Sequence, residues 1–329
     1  MKIKHINQFI CPKDHSDLQL NDDAEIENDT VINGTLTCLS CKAQYTIKNR
    51  IIDFIGTGHY TGSFGYQWNK FAKTQLDSYS GIPISKERFF QVTQWQQQED
   101  PNSIALEVGC GAGRFTEVAA STGIELFSLD ASEAIYANQR NNQQFSNITF
   151  IRADLFNMPF RNLTFDKAYC LGVVQHTPSP HQAIEQIQNK VKKGGDFAID
   201  VYSKTSSTWM WSKYWFRPIL KKLPNETLFK FLEKVVPSLI FIHDLFRLIP
   251  GIGRFLAYRL VPVCNYKYTY PLSKEQNYQW ALLDTFDMFS PTFDIPMSID
   301  ELNTCLSNLG INERDVKFGP NGIIATCKK

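Results

Sequence analysis

Three glycines at alternate positions, Gly109, Gly111 and Gly113, follow Glu107 by two residues, and Asp130 lies nineteen residues beyond Gly111. Glycine lacks a Cβ, so a turn built this way takes positive φ angles and brings bare backbone N–H groups against a ligand. A helix starting at Arg114 would aim its N-terminus at the same spot and favour an anionic group there. A carboxylate at Asp130, ending the next apolar run, is suited to accept hydrogen bonds from ribose hydroxyls. A second constellation is Cys11, Asp14 and His15 followed by Cys38 and Cys41. Thiolates at knuckle spacing suit a closed, structural zinc site. Asp14 occupies the place of a second cysteine in the first knuckle, so the fourth ligand is either His15 or Asp14. The alternative is a metal-free ribbon held by its own packing.

These groups need a frame. The apolar run 104–108 reads as a buried parallel strand, 114–121 as a helix and 124–129 as a second strand. A helix over 132–143, a strand over 148–153 and a strand over 166–174 follow. A helix over 180–193, a turn at 193–195 and a strand over 196–202 complete the pattern. Strand and helix in alternation predict an α/β fold with a doubly wound, mostly parallel sheet. A dinucleotide fingerprint would need glycine at position 114, which is Arg114. Sites in such sheets form beyond the carboxyl ends of the strands, which turns Leu171 to His176 toward the reacting group.

The E-x-G-x-G-x-G stretch from Glu107 to Gly113 resembles motif I of class I S-adenosylmethionine (SAM) methyltransferases. The resemblance covers 104–202 and implies a Rossmann-like, seven-stranded sheet. It also implies a SAM site from Glu107, Gly109, Gly111 and Gly113, with Asp130 and Ala131, Asp154 and Leu155 at the adenine, and Leu171. After the fourth strand there is no N-P-P-Y or D-P-P-Y. That loop resembles instead the small-molecule class that includes the ubiquinone and menaquinone biosynthesis methyltransferases. The activity implied is methyl transfer to a small-molecule, lipid-linked or glycan-type acceptor, at oxygen. A hydroxyl acceptor must lose its proton, and His176 suits that role; the other reading is that it only shapes the loop. The resemblance places a leading helix, expected over 85–98, as a lid. Phe64, Tyr66 and Trp68 either pack on cofactor and substrate or dock this segment on the domain.

The 329 residues divide into a zinc-ribbon-like segment (1–57), a linker and lid helix (58–100), the SAM-binding half (101–203), an insertion (204–270) and a closing part (271–329). The ribbon also resembles small zinc-ribbon proteins that partner tRNA methyltransferases. A net charge of +1 argues against a protein-wide nucleic-acid footprint. Cysteines beyond the first three are scattered singly, which points to a reducing compartment. The first residues carry no signal-peptide pattern, and no apolar run reaches spanning length, so a cytoplasmic location is expected.

The insertion holds ten Lys or Arg between 204 and 260 against three acids. Prolines at 218, 224, 237, 250 and 262 are expected to divide it into short helices. It reads as a helical cap over the substrate, as an interfacial surface giving peripheral membrane contact, or as an RNA-binding face. Asp284, Phe286 and Asp287 are candidates for substrate contact or solvated loop residues. A capping pattern from Ser298 to Glu301 opens a last helix, Gly310 ends it, and strands over 312–317 and 323–328 form a closing hairpin. Two functional alternatives stand beside the small-molecule reading: an RNA methyltransferase gripping through ribbon and insertion, and a non-catalytic SAM-binding scaffold.

Overall fold

The computed structural model describes residues 1–56 and 62–329. Its first five strands are β1 (Leu18–Leu20), β2 (Glu25–Glu27), β3 (Thr30–Cys38), β4 (Gln44–Lys48) and β5 (Ile51–Asp53). Helices α1 (Gly62–Lys70), α2 (Asp77–Ser80) and α3 (Ile84–Thr93) follow. Part of the linker expected before α1 lies outside the described residues, and the lid helix expected over 85–98 stops early, where Gln94 turns left-handed at φ 57°.

The central unit then runs β6 (Ile104–Val108), α4 (Arg114–Ser121), β7 (Glu125–Asp130), α5 (Ala134–Asn142), β8 (Ile148–Arg152) and β9 (Phe165–Cys170). It continues through α6 (Pro180–Lys190) and β10 (Val191–Val201). Helix α6 ends three residues sooner than its pattern predicts, because Val191 already pairs with Phe165 before the strand shifts register up to Asp196. The insertion is α7 (Ser212–Leu220), α8 (Asn225–Arg247) and α9 (Gly253–Leu260). Last come α10 (Lys274–Phe289), α11 (Ile299–Asn308), β11 (Glu313–Gly319) and β12 (Gly322–Lys328).

Strands β8-β7-β6-β9-β10-β12-β11 lie side by side, parallel except where β12 joins β10 and β11 antiparallel. That is a doubly wound sheet whose order reverses between β6 and β9, and ligands bind at such a reversal. Its two faces carry separate cores. Helices α3, α4 and α5 cover one, around Phe89, Phe115 and Phe150. Helices α6 and α11 cover the other, around Phe127, Ile184 and Leu302.

The N-terminal ribbon is continuous with this sheet. Strand β5 pairs in parallel with β8, setting Ile51 opposite Phe150, and β4, β3 and β1 extend the row. Strand β8 would otherwise present a bare ladder edge, which the ribbon closes. Phe127 cements the joint, its ring lying 5.9 Å from Phe9 and 5.2 Å from Phe165.

The insertion departs from expectation. Proline 237 sits inside α8, which runs unbroken for 23 residues. An interior proline strips a hydrogen bond from the carbonyl four residues back. Here that carbonyl belongs to Glu233, and the Tyr278 hydroxyl donates to it at 3.4 Å. The buried face of α8, with Leu228, Phe229, Leu232 and Val236, packs on Leu282, Leu283 and Phe286 of α10 in a third core. Pro218 likewise lies within α7. No helix among the described residues is long and apolar enough to cross a membrane.

Because Phe127 is fully buried and bridges ribbon and sheet, Phe127→Ala should destabilise the fold by about 3–5 kcal/mol. A urea titration followed by circular dichroism measures this as a lower midpoint.

Candidate functional site

Between β6 and α4 the chain turns through Gly109 (φ 76°), Gly111 (φ 53°) and Gly113 (φ 92°), all left-handed. Space excludes side chains as well. A Cβ on Gly113 would lie 2.2 Å from Asn138 Oδ1, and one on Gly111 would lie 3.2 Å from the Trp68 ring. The Gly111 N–H donates to Asp130 Oδ2 at 2.8 Å, while Asp130 Oδ1 accepts from the Ser132 N–H and hydroxyl, each at 2.7 Å. The carboxylate thus ties the glycine turn to the start of α5.

Glu107 lies behind the turn. It is buried and accepts from the Thr116 and Ser128 hydroxyls at 2.5 and 2.7 Å, with Asn138 Nδ2 donating to both hydroxyl oxygens at 2.9 Å. Burial pushes its carboxyl up to about 7.

A cavity of about 550 Å³ opens above the carboxyl ends of β6, β7, β9 and β10. Gly109, Gly111, Asp130, Ala131, Leu155, Leu171 and His176 line it. Glu107, Gly113 and Asp154 are not lining residues; Asp154 caps the next turn by accepting from the Phe156 N–H at 3.0 Å. The resemblance thus named a set that divides into cavity walls and supports of the walls.

At the far end His176 sits with its ring 5.4 Å from Phe64 and 5.3 Å from Tyr202. Its Nδ1 lies 3.1 Å from the Phe293 carbonyl oxygen, which can only accept, so the Nδ1 proton faces that oxygen. Its Nε2 is buried without a hydrogen-bond partner and lies 3.7 Å from Asp287 Oδ2. Tyr202 donates to the same Asp287 oxygen at 3.3 Å.

Several walls escaped the sequence pattern. Arg88 of α3 donates to Asp200 at 2.5 Å, and Asp200 also accepts the Gly172 N–H, fixing the loop after β9. Arg114 donates to Gln75 Oε1 at 2.7 Å, Gln75 donates to Asp284 Oδ1 at 3.1 Å, and Tyr266 donates to Asp284. Burial raises Asp284 to about 6 and lowers Arg114 to about 10. The insertion contributes Trp211, Lys213, Tyr214 and Tyr258 to the lining. Asp200 and Tyr202 could have been found, since they end a strand on the ligand side. Arg88 and Gln75 carry no signal, because they reach the site from α3 and from the turn between α1 and α2, both outside the repeating unit.

The aromatic segment divides by face. Phe64 and Trp68, four residues apart on α1, line the cavity, whereas Tyr66 packs 5.9 Å from Phe286. Of the α10 candidates, Asp284 and Asp287 line the cavity and Phe286 is buried in the third core.

In the ribbon, Cys11, Asp14, Cys38 and Cys41 bring one donor atom each within 4.8 Å of the others. Cys11 and Cys41 sulfurs are 3.6 Å apart, and Cys38 Sγ is 3.4 Å from Asp14 Oδ1. His15, exposed and left-handed at φ 60°, is not in this cluster. The chain turns away at His15, whose N–H bonds back to the Cys11 carbonyl at 2.8 Å, leaving Asp14 as the inward donor.

Residues 106–199 match the methyltransferase domain family. An uncharacterised chloroplastic methyltransferase of Arabidopsis thaliana is 22% identical over 64% of this chain and 66% of its own length. The sterol 24-C-methyltransferase of Saccharomyces cerevisiae is 25% identical over 48% of this chain and 40% of its own. A ubiquinone biosynthesis O-methyltransferase of Acinetobacter baumannii is 26% identical over 37% of this chain and 53% of its own. The chain therefore spans between two fifths and two thirds of these relatives. The sheet around residues 106–199 resembles the Rossmann-like sheet of the class I SAM-dependent methyltransferases, with the strand order that the glycine motif implied.

Glu107 carries a proton in the folded protein up to about pH 7, against an ordinary value of 4.5. A carboxyl raised by folding stabilises the native state below its unfolded pKa, and this contribution is lost as pH rises through the folded value. Stability should therefore fall between about pH 5 and 7, and Glu107→Gln should flatten that slope in urea titrations run across the range.

Proposed function

We propose that this protein transfers a methyl group from SAM to an oxygen atom of a small, largely apolar acceptor, with His176 as the general base. One observation carries this reading: a single cavity is lined at once by the glycine turn, by Asp130 and by His176, whose Nε2 has no hydrogen-bond partner of its own. Its volume of about 550 Å³ falls among those of small-molecule sites.

The residues present fit SAM. The Gly109–Gly111 turn lines the cavity with bare backbone, since a Cβ there would run into Val173 or Trp68, Asp130 lies on the cavity wall with a carboxylate suited to a ribose, and Ala131, Ala153 and Leu155 offer apolar surface to a purine. When bound, SAM supplies an electrophilic methyl group on a sulfonium. The chain's own work is alignment, which supplies much of the acceleration in such a displacement. Phe64, Tyr202 and the insertion's aromatics hold the acceptor's apolar body and keep water out. The acceptor oxygen gains the methyl as the carbon–sulfur bond breaks, and its proton passes to His176 Nε2, leaving S-adenosylhomocysteine as co-product. Asp287 stands ready to balance the imidazolium charge. The relatives' names, one a sterol C-methyltransferase and one a ubiquinone-biosynthesis O-methyltransferase, support a small apolar acceptor.

The cysteine cluster is assigned a structural zinc ion held by Cys11, Asp14, Cys38 and Cys41. Tetrahedral zinc with Zn–S bonds of about 2.3 Å sets its ligand atoms about 3.8 Å apart, close to the 3.6 Å between Cys11 and Cys41. All four positions are filled by protein, so the ion would brace the ribbon and do no chemistry.

Calorimetry should show Asp130→Ala binding SAM about a hundredfold more weakly, the loss of charge-assisted hydrogen bonds. His176→Ala should bind SAM as well as the native protein does yet turn over about 10²–10⁴-fold more slowly in a labelled-methyl assay. An unchanged rate would remove the base from the proposal. Metal analysis should find one zinc per chain, lost in Cys38→Ser together with a drop in Tm.

A further inference from the structure

Fourteen of the twenty-two exposed large apolar side chains among the described residues fall between 209 and 260. On α8 the outer surface changes character at Pro237. Before it Glu226, Lys230, Glu233 and Lys234 surround the exposed Phe231; after it stand Phe241 (69% exposed) and Leu245, with Leu248 (75% exposed) at the helix end, spaced for one face. Ile252 and Phe255 continue this surface into α9. The charges in the same stretch turn back into the protein: Asp244 accepts from Asn265 and Lys267, and Arg247 lies over the Tyr268 ring. Arg259 donates to Ser207, which ties α9 to the segment bearing Trp209, Trp215 and Ile219, all exposed.

We infer that α7, α8 and α9 form a docking surface for an anionic lipid membrane. Charge selects this occupant. The stretch 204–260 carries an excess of seven positive charges, and with Lys213 and Arg217 buried against Asp294 an excess of five remains outside the core. Lys221, Lys222 and Arg254 are exposed beside the apolar residues Ile219, Ile252 and Phe255. Apolar side chains flanked by Lys and Arg, with Trp and Tyr at the margin, suit the boundary between acyl chains and anionic headgroups. A second copy of this chain would set the same positive surface against itself. The surface also reaches the cavity, since Trp211, Tyr214 and Tyr258 of the insertion line it. A docked protein would open its acceptor cavity toward the lipid phase, where a small apolar acceptor concentrates. Docking itself does not depend on the acceptor or on methyl transfer, so the two readings fail separately.

The test is co-sedimentation of the full chain with vesicles of phosphatidylcholine alone and with vesicles containing roughly one third phosphatidylglycerol. The protein should pellet with the anionic vesicles, lose that binding as salt rises, and stay in solution with the neutral ones. The double variant Phe241→Glu, Leu248→Glu changes only exposed side chains and should bind anionic vesicles at least about tenfold more weakly, with SAM affinity and Tm unchanged. Lys221→Glu with Lys222→Glu should weaken binding without touching the apolar surface. Failure of the native protein to pellet with anionic vesicles overturns the inference, as does equal binding by the apolar variant. A stable dimer that the apolar variant dissociates, or retention on single-stranded RNA in place of vesicles, would reassign the surface.

Discussion

A single hydrogen bond across the top of two neighbouring strands, from the Gly111 amide to the Asp130 carboxylate, holds the geometry on which the site depends. It requires a backbone that can turn left-handed three times in five residues, which glycine alone does cheaply. The knot of Glu107, Thr116, Ser128 and Asn138 beneath the turn fixes it from the buried side. Every hydroxyl in that knot is engaged, so the arrangement is rigid despite its polarity. The cofactor end of the cavity is therefore preformed, with its amides and carboxylate already oriented.

The acceptor end is built differently. Beside His176 and Tyr202, its walls come from α1, α3, α10 and the insertion, none of which belongs to the repeating strand–helix unit. Long-range pairs hold them in place: Arg88 with Asp200, Arg114 with Gln75 and Gln75 with Asp284. Lys213 is a further example, buried against Asp294 at 2.6 Å while its ammonium lies 4.7 Å from the Tyr202 ring. A buried ion pair of this kind adds little to stability but fixes orientation when its geometry is closed.

The strand and helix pattern of the central unit was legible because apolar runs of the right length sit between glycine turns. Helix α4 falls on the residues its periodicity indicated, Arg114–Ser121, and the closing hairpin turns between its two expected strands, with Gly319 opposite Gly322. Prolines misled in the insertion, since Pro237 is accommodated once Tyr278 supplies its lost partner to the Glu233 carbonyl. Nothing in the local pattern of 51–53 announces that β5 pairs with β8, because strand pairing across a hundred residues leaves no periodic trace. The ribbon's fourth inward donor was open between His15 and Asp14 for the same reason: which side chain points in depends on one backbone turn.

The sequence by itself determined the phosphate-free glycine turn, the acid nineteen residues on and the order of strands and helices, since each follows from local φ/ψ freedom and hydrophobic spacing. Only the tertiary structure decided which motif residues face the cavity and which stand behind it. Glu107 and Gly109 are two residues apart, yet one is buried under the turn and the other lines the site. The tertiary structure also joined His176, Tyr202 and Asp287 at one end of that cavity, because their meeting depends on how α10 packs over the sheet.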